Sequence, residues 1–487
     1  MNRTRLVSAL AMAALAAILL PSFLHAQVTF QRTYGGPEYD AGSEVRQTTD
    51  GGYIVAGTTS SFGAGSYDVY LIKTDASGDT VWTRTFGGEW IDVGQAVQQT
   101  ADGGYIIAGT TSSNGAGGLD FYLLKTDADG DRLWSRTFGG TADDSGCSVQ
   151  QTADSGYVIA GYTESFGAGQ WDVYLIKTDS IGDTLWTRTF GGSGRDYGLS
   201  VGQTSDDGYI IAGYTTSFGA GDCDVYLVKT DAQGDAQWTR AFGGVSEEFG
   251  YSVQQTTDSG YIIAGSTASF GAGGYDAYLV RTDRDGDTLW TRTYGGASYD
   301  NGYYVRQTAD SGFVVGGSSG SFGAGNADSY IVRTNADGDT LWTRTFGGTY
   351  TDHGSSAQQT IDGGYVITGY TWSFGAGAAD VYLVKTDSLG NVAVAEPKAS
   401  PSRAPALSLT CTPNPASGSV TISLSPSIPL SPSPVLRVYD SQGRMVLSRE
   451  ISTSPFPLSA SDLPSGAYFV RLDAGSEHAT TRIVLQR

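Results

Sequence analysis

The side chains best suited to chemistry in this 487-residue chain are aromatic. Six of its nine tryptophans, Trp82, Trp134, Trp186, Trp238, Trp290 and Trp342, recur at intervals of 52 residues. The other three, Trp90, Trp171 and Trp372, break that lattice. Where one copy has Trp90, the others carry Glu38, Ala142, Gly194, Ser246, Ser298 and Tyr350. Where one has Trp171, the others carry Tyr67, Leu119, Cys223, Tyr275, Ala327 and Ala379. Trp372 stands against Ser60, Ser112, Glu164, Thr216, Ala268 and Gly320. Exposed rings on a rigid scaffold anchor partner proteins and can stack on sugar rings. Trp90, Trp171, Trp372, Tyr67, Tyr275 and Tyr350 are therefore the candidate ligand contacts. Covering their own loops is the competing role.

Catalytic sets are harder to assemble. The three histidines are His25 near the N-terminus, His353 in an expected loop and His478 in the tail. None has a Cys or His neighbour at metal-ligand spacing, and no Ser–His–Asp arrangement stands out. A glycosidase needs only two carboxylates, but the off-lattice acids Asp143, Glu164, Glu247 and Asp222 form no evident pair. The turns "DADGD" (127–131), "DRDGD" (283–287) and "NADGD" (335–339) resemble calcium-loop fragments, yet "DASGD", "DSIGD" and "DAQGD" replace them elsewhere. A Gly-bearing hairpin turn accounts for all the copies. No catalytic residue, metal ligand or cofactor is assigned.

The elements that must position the aromatics follow from the 52-residue unit. In the first unit, "SEVRQT" (43–48) reads as strand A and "GYIVAGT" (52–58) as strand B. "DVYLIKTD" (68–75) reads as strand C and "DTVWTRTF" (79–86) as strand D. Short Gly-containing turns join A to B and C to D. In C, Val69, Leu71 and Lys73 alternate with Tyr70 and Ile72. In a simple meander the long D–A and B–C loops share one face, and all three off-lattice tryptophans fall in them. The polar series of Asp68, Gln47 and Tyr70 recurs in every unit and is expected to tie strands or blades together.

Strands A, B and C each occur seven times. Strand D occurs seven times only if "VTFQRTYGG" (28–36) is counted, while the last unit fades after "DVYLVKTD" (380–387). The spare D at one end matches the missing D at the other. Residues 28–34 are thus expected to complete the seventh unit, with Phe30 in the place of Trp. Four antiparallel strands repeated at this period indicate a β-propeller blade. The unit also resembles the secreted bacterial β-propeller repeat family and, more distantly, NHL-type repeats in strand order. The resemblance covers 28–392 and implies a fold far more than an activity. The expected fold is all-β: a seven-bladed propeller over 27–392, closed by the N-terminal strand.

Residues 1–26 read as a secretory signal, with Arg3 and Arg5 ahead of an apolar run and cleavage expected between Ala26 and Gln27. No later segment reaches transmembrane length, so no membrane span is expected. Three cysteines are too few for a disulfide framework, and whether Cys147 and Cys223 pair is left open. Residues 27–392 carry 19 Lys/Arg against 44 Asp/Glu, a field that repels nucleic acid.

Residues 393–408 form an Ala/Pro/Ser-rich linker, and alternating short strands over 409–487 suggest a small β-sandwich of immunoglobulin-like type. This tail resembles the type IX secretion sorting domain, type A, of Bacteroidetes-like bacteria. The likeness rests on Pro413, Asn414 and Pro415, on Tyr439 and Asp440, on Gly443 and Arg444, and on Gly466 with Tyr468. It implies export by the type IX machinery to the cell surface or the medium. The expected function is a monomeric surface binding or adhesion module, with a glycan or a surface protein as ligand. A polysaccharide-cleaving hydrolase or lyase is the alternative, and a purely structural surface component a third.

Overall fold

A computed structural model describes residues 27–392 and, in the tail, 408–412, 416, 419–425, 435–440, 444–451, 456–459, 463–474 and 477–486. The expected signal, Ala26, most of the linker, Pro413, Asn414, Pro415 and Gly443 lie outside the described residues. The chain divides into two units, the second beginning at Val394.

The first unit contains seven four-stranded antiparallel sheets, an arrangement consistent with a propeller. In the first sheet, strand A is Asp40–Gln47, B is Tyr53–Thr59, C is Asp68–Thr74 and D is Thr80–Phe86. Strand A starts three residues earlier than its sequence suggests. A β-bulge between Gly42 and Glu44 absorbs the extra residue and keeps the ladder with strand B. The bulge recurs in all seven sheets.

Every residue of strands B and C in the first sheet is buried. The alternation in strand C therefore divides two cores and does not separate core from solvent. Val69 and Leu71 pack with Val97, Tyr105 and Ile107 of the next sheet. Tyr70 and Ile72 pack with Phe30, Val45 and Val366 on the other side. Lys73 is buried with them, and its ammonium donates to Thr74 O at 2.8 Å and pairs with Asp50 at 2.9 Å. A buried charge needs such a partner.

Side chains from one sheet lock the next. Thr49 N donates to Gln99 Oε1 at 2.9 Å across the interface. The Trp82 ring meets Tyr105 edge-on at 5.8 Å, and the Arg84 guanidinium covers it at 5.4 Å. Not every recurrent residue works between sheets. Asp68 Oδ2 accepts from Ala64 N and Gly65 N, closing its own B–C loop. Likewise Asp127 Oδ1 accepts from Asp129 N and Asp131 N, so the acidic C–D turn folds around its own first carboxylate. Among the described residues no group of three His, Cys, Asp or Glu could hold a metal ion.

Phe30–Tyr34 pairs antiparallel with Asp380–Thr386, from Phe30 opposite Lys385 to Tyr34 opposite Val381. Phe30 meets Tyr53 edge-on at 5.9 Å, with Arg32 over its ring, as each lattice Trp meets its own partners. Asp40 N donates to Ala379 O and Ile361 N to Gln47 Oε1, joining the first and seventh sheets with the bonds used at other interfaces.

The second unit pairs a three-stranded sheet with a four-stranded one. Ile422 of the first and Leu436, Val438, Val470, Leu472 and Ile483 of the second share one core. In the expected sorting motif, Tyr439 lies opposite Phe469 in the ladder. Arg444 Nε donates to Asp440 Oδ2 at 2.8 Å, closing a hairpin. Tyr468 OH donates to Pro464 O at 2.8 Å, beside Gly466.

Candidate functional site

The candidate aromatics do not converge on one depression. Trp90 is 65% exposed, with its backbone N–H donating to Ser113 Oγ at 3.1 Å. Trp372 and Tyr350, 48% and 61% exposed, share a shallow depression of about 340 Å³ with Asn326 and Thr351. Trp171 is half-buried against Tyr162 and Tyr197 at 5.1 and 6.1 Å. Tyr275 donates its hydroxyl to Glu247 and packs on Phe249 at 5.9 Å. Tyr67 meets Tyr39 edge-on at 6.3 Å.

Tyr67, Trp171 and Tyr275 lead into a larger assembly. From Tyr67 the rings run through Tyr39, Tyr370, His353, Tyr303 and Tyr251 to Phe249. They continue through Tyr214 and Tyr197 to Tyr162 and Trp171. Successive centroids along this arc lie 4.4 to 6.3 Å apart. The arc draws on six of the seven sheets, all but the second. Most of its members sit at the start of strand A, the end of strand B and the adjoining loops, the long-loop end of each sheet, while Tyr251 and Tyr303 lie at the bulge of strand A.

His353 belongs to this arc and not to a loop: it is the second residue of strand A in the seventh sheet, Asp352–Gln359. Its ring stacks on Tyr370 at 5.0 Å with 4° between planes. Burial pulls its imidazole down to a pKa of about 4, so it is neutral at pH 7. Burial likewise pushes the Tyr162 phenol up to about 12.

Strands A of all seven sheets line a single cavity of about 850 Å³, which also takes in Tyr251, Tyr303 and His353 of the arc. Much of its wall is polar and regular. At one lattice position Gln98, Gln150, Gln254 and Gln358 each accept a hydrogen bond from the backbone of the next sheet, at 2.7 to 3.1 Å. Arginines replace glutamine there at Arg46 and Arg306. Two residues earlier, Ser148, Ser200 and Ser252 accept from Val201 N, Val253 N and Val305 N. Glu44 does the same for Val97 N at 2.9 Å, while Tyr304 occupies this position in the sixth sheet.

Cys147, on the cavity wall, and Cys223, buried elsewhere, are both free thiols. Among the described residues Glu44 is the one carboxylate lining the cavity. Asp143 instead accepts from Leu119 N, and Glu247 from Tyr275. The arc and the two arginines were missed by reasoning that assigned function to loops. Their signal is lattice variation inside strands A and B, where Tyr197 and Phe249 stand against Ala41, Val93, Ser145, Asn301 and His353.

Residues 411–486 match the secretion system C-terminal sorting domain. This domain indicates export by type IX secretion, and the protein resides on the outer surface or in the medium. No helix among the described residues is long and apolar enough to cross a membrane. The chain is 28% identical over 232 aligned residues to Regulatory protein FlaEY of Caulobacter vibrioides, a match that covers 40% of this chain. The match spans 23% of that relative's length. Among solved structures, puromycin hydrolase is similar at 12% identity and a TM-score of 0.45, covering 91% of this chain and 60% of that one. The extracellular domain of BT4673 from B. thetaiotaomicron is similar at 10% identity and a TM-score of 0.40, covering 94% and 59%. Likenesses this distant carry no functional argument.

Proposed function

We propose that the seven sheets form a closed seven-bladed propeller, sealed by residues 28–34, that serves as a non-catalytic binding module outside the cell. The seal is supported by the pairing of Phe30–Tyr34 with Asp380–Thr386 and by the bonds between the first and seventh sheets. The aromatic arc at the long-loop end carries the binding reading. Ten stacked or edge-on rings and one imidazole, most at positions other copies fill with small residues, are more than blade packing demands. They offer a curved apolar wall with polar edges, suited to sugar rings. Trp372 with Tyr350, and Trp90 by itself, provide further exposed anchors on that face. The hydrolase alternative calls for two facing carboxylates, and among the described residues Glu44 is the one that lines the cavity.

The test is binding of the purified chain to a broad glycan panel beside two variants. One changes Tyr197 and Phe249 to serine, the residue at their lattice position in the third sheet; the other changes Trp90, Trp171 and Trp372 to alanine. A hit lost in the first variant supports recognition by the arc, and loss only in the second moves the site to the loop tips. No hit at all would sink the glycan reading and favour a protein partner or a structural surface role.

A further inference from the structure

The cavity wall departs furthest from its regular pattern between the sixth and first sheets, across the front of the seventh. There Tyr304 reaches from one to the other, donating its hydroxyl to Glu44 Oε1 at 3.0 Å. The seventh sheet leaves room for it with Ser355 and Ser356, and Ser356 Oγ is buried without a hydrogen-bond partner. Arg46 pairs with Glu44 at 2.7 Å, while its Nε is buried and makes no hydrogen bond. The Arg306 guanidinium lies over the Tyr304 ring at 4.1 Å and donates to Val305 O at 2.9 Å.

Charge does not balance at this point. Glu44 is already engaged by Arg46, Tyr304 OH and Val97 N. Among the described residues Arg306 has no ion pair of its own, and it lines the cavity. Two guanidinium groups thus share one carboxylate on the cavity wall, where burial, and after it Arg46, lower the pKa of Arg306 against the opposing pull of Tyr304 and Glu44. A partly desolvated cation without an ion pair of its own is costly, and a bound anion reduces that cost. The backbone N–H groups of Gln99 and Gln359 add to the setting. Four of their counterparts are capped by a glutamine of the preceding sheet, whereas the preceding sheet carries Arg46 and Arg306 at that position for these two, and Gly202 for Gln255. The contrast with the surrounding field is large, since 27–392 is strongly acidic.

We propose that the cavity contains an oxyanion site in which Arg306, with the Nε of Arg46 beside it, binds a carboxylate or phosphate group of a small ligand. The planar guanidinium fork matches either group in bidentate fashion, and Tyr304 holds that fork in place from below. A space of about 850 Å³ accommodates a ligand of monosaccharide or disaccharide size. The site stands on the cavity alone and does not depend on the aromatic arc binding glycans.

Calorimetric titration of the purified chain with glucuronate, glucose and inorganic phosphate tests it. Glucuronate or phosphate should bind, at least tenfold more tightly than glucose, and the tighter of the two identifies the group preferred. Arg306→Gln restores the residue that most other sheets carry at this position, so it should fold normally. It should weaken anion binding tenfold or more and abolish the rise in melting temperature that the anion produces. Arg306→Lys, which keeps the charge and loses the fork, should fall between. Anions bound no better than glucose, or bound equally well by Arg306→Gln, would overturn the proposal.

Discussion

Replacing Phe30 by alanine tests the sealing of the first unit at its weakest covalent point. Strand D of the seventh sheet is attached to the rest of that sheet by hydrogen bonds and side chains alone. Phe30 is 3% exposed and sits in the core formed with Val45, Tyr53, Tyr70 and Val366. Its ring fills the space beside Gly78, whose added Cβ would lie 2.6 Å from it. Removing a buried phenylalanine ring costs about 3–5 kcal/mol through lost burial and the cavity left behind. Arg32 also loses the ring it covers. All nine tryptophans lie between residues 82 and 372, so tryptophan fluorescence during urea unfolding reports the seven sheets without the tail. Phe30→Ala should lower the stability read from the midpoint by about 3 kcal/mol or more. Deleting 27–34 goes further, exposing the edge of Asp380–Thr386, and should produce aggregation. A Phe30→Ala variant within about 1 kcal/mol of the parent, or a soluble deletion of equal stability, would refute the sealing argument.

Three further outcomes are expected. Burial, and after it the proximity of Asp40, raise the Asp380 carboxyl to a pKa of about 6. The folded state therefore holds that proton more tightly than the unfolded chain does. The resulting stabilisation is full below about pH 3.8 and fades as pH rises through 6. Asp380→Asn should flatten the pH dependence of the urea midpoint in that window, and an unchanged slope would contradict the assignment. Ser259 has φ = 70° at a turn position that Gly51, Gly103 and Gly363 fill elsewhere. Ser259→Gly should therefore stabilise by about 1 kcal/mol, measured by the same unfolding. Gln99→Ala removes the acceptor for Thr49 N between the first two sheets and should cost about 1 kcal/mol.

The repeat was legible because its signals are local. Gly-bearing turns, apolar runs and an uninterrupted 52-residue spacing each show within one unit. The pairing of Phe30–Tyr34 was legible too, from the match between a spare strand at one end and a missing one at the other. The lumen was not. Which side chains meet in the cavity depends on seven strands A assembled around one space, and no single unit encodes that. The bulge after Gly42 adds to the difficulty. Plain alternation sends Ser43 and Glu44 to opposite faces, whereas both line the cavity. Alternation in strand C misled in a related way, since Tyr70 and Val69 are equally buried in two different cores.

A repeat protein supplies its own reference for separating scaffold from site. Where the copies agree, as at Asp68, the buried Lys73 or Arg position, or the lattice tryptophans, the structure shows scaffold chemistry: a capped loop, a buried ion pair, a ring against the next sheet. Where they disagree inside buried or cavity-lining strands, uniform packing does not explain the residue. Tyr304 is the clearest case. Serine at its position accepts a backbone N–H in three interfaces, and a tyrosine instead crosses the cavity to a glutamate found in one sheet only. Glu44, Arg46, Tyr304 and Arg306 form one connected group, in which Glu44 takes Arg46 and the Tyr304 hydroxyl while the Tyr304 ring carries Arg306. Four matched departures from a seven-fold pattern, gathered at one point of one cavity, are the strongest sign in this molecule of a site shaped by something other than its own folding.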